Sequence, residues 1–230
     1  MAIFPLKMTL RKAAIFAGFG YILMFGTAIA EFTVMGKLVD MNNGDLTVKN
    51  ISTNLPLFRH GIMFYTINFI GDIMAAWGIY ILLKPVSNFF SLVAASLRLV
   101  FTILSLVVLM NLLTVLQLLQ PHDYLNAFST GQLQAQTMIA LRAFIEGWLY
   151  CYIFFGLYLI LIGYLVFISK YIPKLIGVCL IIAGLGWLTD SIQPYLFPSM
   201  KMSIGMTTGI LELVFMFWLF IKGSKLKERD

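Results

Sequence analysis

Phe89-Phe90-Ser91-Leu92-Val93-Ala94-Ala95-Ser96-Leu97-Arg98-Leu99-Val100-Phe101-Thr102-Ile103-Leu104-Ser105-Leu106-Val107-Val108-Leu109-Met110 is the stretch that decides the fold. The apolar run continues to Leu119 and is long enough to cross a bilayer. A guanidinium sits near its middle. Arginine at that depth costs about 2.5–3.5 kcal/mol on insertion scales, and each Leu, Ile, Phe or Val returns only about 0.3–0.6 kcal/mol. The helix tolerates the charge only if it turns from lipid toward carboxylates on other helices.

The rest of the chain has the same character. It has 230 residues, 60% hydrophobic and 11% charged, with a mean hydropathy of +0.92. Soluble domains carry about 25% charged residues. The composition predicts a polytopic membrane protein in contact with a lipid bilayer. The formal charge of +6 does not point to nucleic acid, because the cations cluster in short loops and at both ends. Cys151 and Cys179 lie inside apolar runs without a CxxC spacing, so they read as packing residues. Ala28-Ile29-Ala30 resembles a signal-peptidase site, but the apolar run continues through Phe32, Val34 and Met35, which predicts an uncleaved first helix.

Six spans are expected, at about 13–36, 60–83, 87–118, 136–168, 173–192 and 204–222, making residues 1–230 a single integral membrane domain. All seven prolines fall outside these runs or at their edges, where a missing N–H does least harm. The fold class is therefore all-α, a six-helix transmembrane bundle. Lys7, Arg11, Lys12, Lys84, Lys170, Lys174, Lys222, Lys225, Lys227 and Arg229 flank one set of span ends, against Lys37, Lys49, Arg59 and Lys201 on the other. This asymmetry predicts cytoplasmic N- and C-termini. The connection 37–59 is the longest and reads as a solvated loop or as a lid on an outward opening. Gly205-Met206-Thr207-Thr208-Gly209, with Gly177, Gly184 and Gly186, reads as close helix packing.

Charges inside the spans are the candidate site: Glu31, Asp72, Arg98, Arg142, Glu146, Asp190 and Glu212, with Asn68 one turn before Asp72 and Tyr65 two turns before it. Their expected depths run from the midplane to the outer surface, as in an outward-facing cavity. Five acids against two arginines require protons, water or a bound cation to balance them. Arg142 and Glu146 are four apart and suited to local pairing. Arg98 is expected to pair with Asp72 and with Glu31 or Asp190. Asn111, Trp148, Tyr150 and Gln193 are further lining candidates. A network that only fixes helix register is the structural alternative.

His60 and His122 have no His or Cys partner at ligand spacing, so no metal site is expected. No cofactor motif, GxSxG, HExxH or P-loop is present. Ser96 and Ser105 are expected to bond to their own backbone.

Ala30-Glu31-Phe32, Leu57-Phe58-Arg59, Leu82-Leu83-Lys84-Pro85-Val86-Ser87 and Ser96-Leu97-Arg98-Leu99-Val100 form one recognisable set. Tyr171-Ile172-Pro173-Lys174-Leu175-Ile176-Gly177 and Ala183-Gly184-Leu185-Gly186-Trp187-Leu188-Thr189-Asp190-Ser191 complete it. Together they resemble the family of bacterial and archaeal membrane proteins known as domain of unknown function 4386. The resemblance implies a six-helix protein of a prokaryotic cell membrane and carries no established activity.

The leading functional expectation is a binding or transport protein taking a small polar, cationic or lipid-derived ligand among Glu31, Asp72, Arg98 and Asp190. The alternatives are an intramembrane lipid-modifying enzyme using paired carboxylates, and an accessory or sensor subunit.

Overall fold

The computed structural model describes residues 8–120, 123–197, 199 and 203–226. Lys7, His122, Lys201, Lys227 and Arg229 lie outside the described residues. The fold is all-α. Helices α1 (Leu10–Leu38), α3 (Leu55–Leu83), α4 (Asn88–Leu118), α5 (Thr130–Ile168) and α6 (Lys174–Leu196) are long and apolar enough to span. A sixth candidate span, Gly205–Lys225, contains α7 (Gly205–Gly209) and α8 (Glu212–Ile221).

Three expectations need correction. The connection after α1 is no open loop. It holds α2 (Gly44–Thr53), started by Asn43 Oδ1 accepting from the Leu46 amide at 3.0 Å. The buried Thr47 hydroxyl donates to the Asp40 carbonyl and accepts from its amide, and Ile51 is buried beneath the helix. The prolines are less strictly excluded than expected. Pro56 sits in the first turn of α3, where no helical amide bond is lost, and Pro194 sits within the last turns of α6. The last span is not a uniform α-helix: Ile210 and Leu211 keep right-handed helical dihedrals, but the backbone there bonds i to i+3, as in a tightened 3₁₀ turn.

The chain forms two compact units. The first comprises the described residues within Met1–Ile22, Gly71–Phe101 and Tyr152–Asp230. The second comprises Leu23–Ile70 and Thr102–Cys151.

In the first unit, small residues set the packing. A Cβ on Gly156 would stand 2.7 Å from the Gly184 carbonyl oxygen, and one on Gly163 would stand 2.8 Å from that of Gly177. Backbone therefore meets backbone where α5 and α6 cross. The same holds for α1 and α3, where a Cβ on Gly20 would lie 2.6 Å from the Gly71 carbonyl oxygen. Gly205 and Gly209 lie against the Trp187 indole, as the packing reading of that motif expects.

In the second unit, Phe58, Ile62, Tyr65 and Phe69 of α3 pack with Leu109 and Leu112 of α4 and Leu141 and Phe144 of α5. The Tyr65, Phe144 and Trp148 rings approach one another at 4.9–5.6 Å, and Phe69 stacks on Trp148. These are favourable edge and offset geometries. A cavity of about 640 Å³ opens beside Val48, Leu118, Leu125, Phe128, Leu133 and Gln134.

Candidate functional site

The face of α4 that holds Arg98 is legible in its periodicity. Ser91, Ala94, Arg98, Phe101 and Ser105 are buried, three or four residues apart, with Thr102 buried beside them, while Leu99, Val100, Ile103, Leu106 and Val107 are exposed on the apolar face. Small neighbours on the buried face leave room for the long arginine side chain. Arg98 is 1% exposed.

Asp72 of α3 meets it. Arg98 Nη2 donates to Asp72 Oδ1 at 2.6 Å, and Nε donates to the same oxygen at 3.0 Å. Three aromatic rings surround the guanidinium. The Tyr158 ring centre lies 4.7 Å from Arg98 Cζ, that of Phe155 5.3 Å, and that of Tyr21 5.4 Å. A cation against aromatic faces in a dry interior gains on the order of 2 kcal/mol. That offsets part of the desolvation which ion pairing alone rarely repays.

A second carboxylate belongs to this centre. Glu212 opens α8 and is 7% exposed. Its Oε1 accepts from Trp187 Nε1 at 3.2 Å. It lies within electrostatic reach of Arg98, Asp72, Tyr21 and Tyr158. Trp187 stacks on Tyr152 at 4.2 Å and presents an edge to Phe155. Five spanning helices and α8 thus place groups at one buried centre within the first unit, in the order Tyr21, Asp72, Arg98, Phe155 with Tyr158, Trp187 and Glu212.

The other predicted residues do not join it. Asp190 is not a partner of Arg98. Its Oδ1 accepts from the Ile204 amide at 2.8 Å and its Oδ2 from the Gly205 amide at 2.7 Å, so it ties α6 to the start of α7. Glu31 belongs to the second unit, where the Tyr65 side chain hydrogen-bonds it. Asn68 Oδ1 lies 3.2 Å from the Thr27 hydroxyl in that same unit. Arg142 and Glu146 are both exposed and form no ion pair, contrary to the expected local pairing. On a helix surface such a pair is worth a few tenths of a kcal/mol, too little to hold two long side chains together. None of the eight candidates lines the large cavity of the second unit.

The secondary candidates divide in the same way. Trp148 belongs to the aromatic core of the second unit, Asn111 donates to the Val108 carbonyl, and Gln193 donates to the Phe197 carbonyl. Tyr150 is half exposed. Ser96 is exposed, and the buried Ser105 hydroxyl lies beside the Cys151 thiol; neither serine makes the expected backbone hydrogen bond among the described residues.

Tyr21, Phe155, Tyr158 and Trp187 were not foreseen as site residues. Their signal was available in part. Ala13, Ala17 and Tyr21 are spaced by four on the buried face of α1, and Phe155 and Tyr158 are spaced by three. Those spacings show burial without showing what the rings would face.

A multi-pass membrane protein with a sealed, charge-bearing centre is the class this arrangement defines. Residues 16–223 match the model of the family described as domain of unknown function (DUF4386), and the chain belongs to that family. An uncharacterised protein of Archaeoglobus fulgidus is 32% identical over 157 residues, which is 68% of this chain and 80% of that one. No solved structure matches.

Proposed function

We propose that the chain is a single-domain binding or transport protein of a prokaryotic cell membrane whose working centre is Asp72, Arg98 and Glu212, and that its ligand is a small organic cation. One observation carries the reading: two buried carboxylates, Asp72 paired to Arg98 and Glu212 held by the Trp187 indole, stand near a single guanidinium, leaving an excess negative charge in a low-dielectric interior. A buried charge of that kind is neutralised by a proton or a counter-ion. The aromatic side chains Tyr152, Phe155 and Trp187 cluster beside it, and aromatic rings are surroundings that attract an ammonium group. Among the described residues, no three His, Cys, Asp or Glu side chains converge as a metal shell would need.

Charge distribution supports cytoplasmic termini. Arg11, Lys12, Lys84, Lys170, Lys174, Lys222 and Lys225 are exposed in the first unit, whose described acids Asp72, Asp190 and Glu212 are all buried. The second unit mixes both signs. An excess of Lys and Arg beside the span ends is the pattern of a cytoplasmic face.

Thermal unfolding of the detergent-purified protein with choline, tetramethylammonium and putrescine tests the function. A ligand at 100 times its Kd stabilises by about 2.7 kcal/mol. The wild type shifts upward with at least one of them, and Asp72→Asn and Glu212→Gln lose that shift. An unchanged ligand-induced shift in both variants contradicts the proposal.

A further inference from the structure

We infer that the same centre is a proton-binding site, with the proton carried by Glu212 and passed through Tyr21 and Tyr158, so that a cation entering the centre expels a proton to solvent. The inference deepens the function proposed above and rests on it for the cation, though not for the proton.

Three buried polar atoms carry the argument. Tyr21 Oη, Tyr158 Oη and Asp72 Oδ2 make no well-aligned hydrogen bond among the described residues, and the two phenols lie within hydrogen-bond reach of each other. Their residues are 1%, 0% and 1% exposed. Buried hydroxyls and carboxylate oxygens in proteins are nearly always partnered, and the usual partners of orphans are ordered water and protons. These orphans are not scattered. The Tyr21 and Tyr158 rings both face the guanidinium that Asp72 Oδ1 holds, and the two phenols are close enough to influence each other and Glu212. A phenol both donates and accepts, so two adjacent phenols beside the Asp72–Arg98 pair and near Glu212 can form a relay.

The charge balance selects Glu212 as the carrier. Asp72 is bound to Arg98 through two N–H donors on one oxygen, a charge-assisted pair. Glu212 has one neutral donor, the Trp187 indole. The groups around it are Tyr21 on α1, Asp72 on α3, Arg98 on α4, Tyr158 on α5 and Trp187 on α6. With Asp72 and Arg98 cancelling, a proton on Glu212 makes the centre neutral. An incoming ammonium group replaces that proton, which leaves by the phenols. One cation and one proton then compete for one negative charge. Cation affinity rises with pH, by about tenfold per pH unit while Glu212 is mostly protonated.

The experiment uses the full chain in nanodiscs, with choline as the probe and two readouts. Infrared difference spectra between acid and alkaline pH, recorded without choline, read the proton. The wild type shows a protonated-carboxyl band that Glu212→Gln removes and Trp187→Phe moves to higher frequency, while Glu146→Gln leaves it in place. Proton release into weakly buffered solution on adding choline reads the exchange. The wild type releases one proton per bound choline, and Tyr158→Phe slows the release. Choline binding without proton release overturns the exchange while sparing the cation reading. A carboxyl band unchanged in both Glu212→Gln and Trp187→Phe overturns the proton site. If choline does not bind but the band behaves as described, the proton site stands and the cation reading falls.

Discussion

The two units of this protein hold most of their charged groups in different ways. The first buries Asp72, Arg98, Asp190 and Glu212 and gives each a partner drawn from another helix. The second keeps Arg142 and Glu146 exposed and fills its interior with Tyr65, Phe69, Phe144 and aliphatic side chains. A purely structural role would be served well enough by the apolar solution, which is cheaper than a buried ion pair. The contrast is why a function is assigned to the first unit.

The largest expected effect breaks the ion pair. Asp72→Ala leaves Arg98 buried without its carboxylate and should cost roughly 3–5 kcal/mol. Unfolding of the purified variant measured by steric trapping or denaturant reads this. A loss below 1 kcal/mol would mean that water or another acid takes over the guanidinium, and the contrast between the units would collapse.

Next comes the apolar counterpart. Phe144→Ala in the second unit removes a ring that contacts Tyr65 and Trp148 and should destabilise by about 3 kcal/mol, as cavities do. Unlike Asp72→Ala, it should leave any choline-induced stabilisation intact, measured as the same thermal shift. The smallest effect belongs to the exposed charge. Glu146→Ala should change stability by less than about 0.5 kcal/mol in the same unfolding assay, because no ion pair is lost. A larger change would show that Glu146 is engaged after all.

Much of the fold was readable from hydropathy, because each span must satisfy its own backbone in lipid and so advertises its length. The amphipathic α2 escaped notice because Thr47 and Ile51 are its buried residues, too few to mark a periodicity within a polar stretch. The tightened turn after Gly209 was hidden because Ile210 and Leu211 are as apolar as a uniform helix would require.

The site was only half legible. Arg98 and Asp72 stood out because charges within spans are rare and costly. Sequence could not say that Glu31 and Arg98 belong to different units, or that Asp190 spends both oxygens on amides of the following segment. Depth along a helix can be counted from its ends. The direction in which a side chain points is decided by packing, here by glycines that let α5 approach α6 and α1 approach α3.

The central claim is that Asp72 and Arg98 act as one buried unit, and a double-mutant cycle tests it most directly. Unfolding free energies of Asp72→Ala, Arg98→Leu and the double variant are compared with the wild type in the same detergent. The account predicts that the double variant is more stable than the sum of the single losses allows, with a coupling of about 1–3 kcal/mol. Losses that add to within about 0.5 kcal/mol would contradict it, because residues that do not share an interaction behave additively.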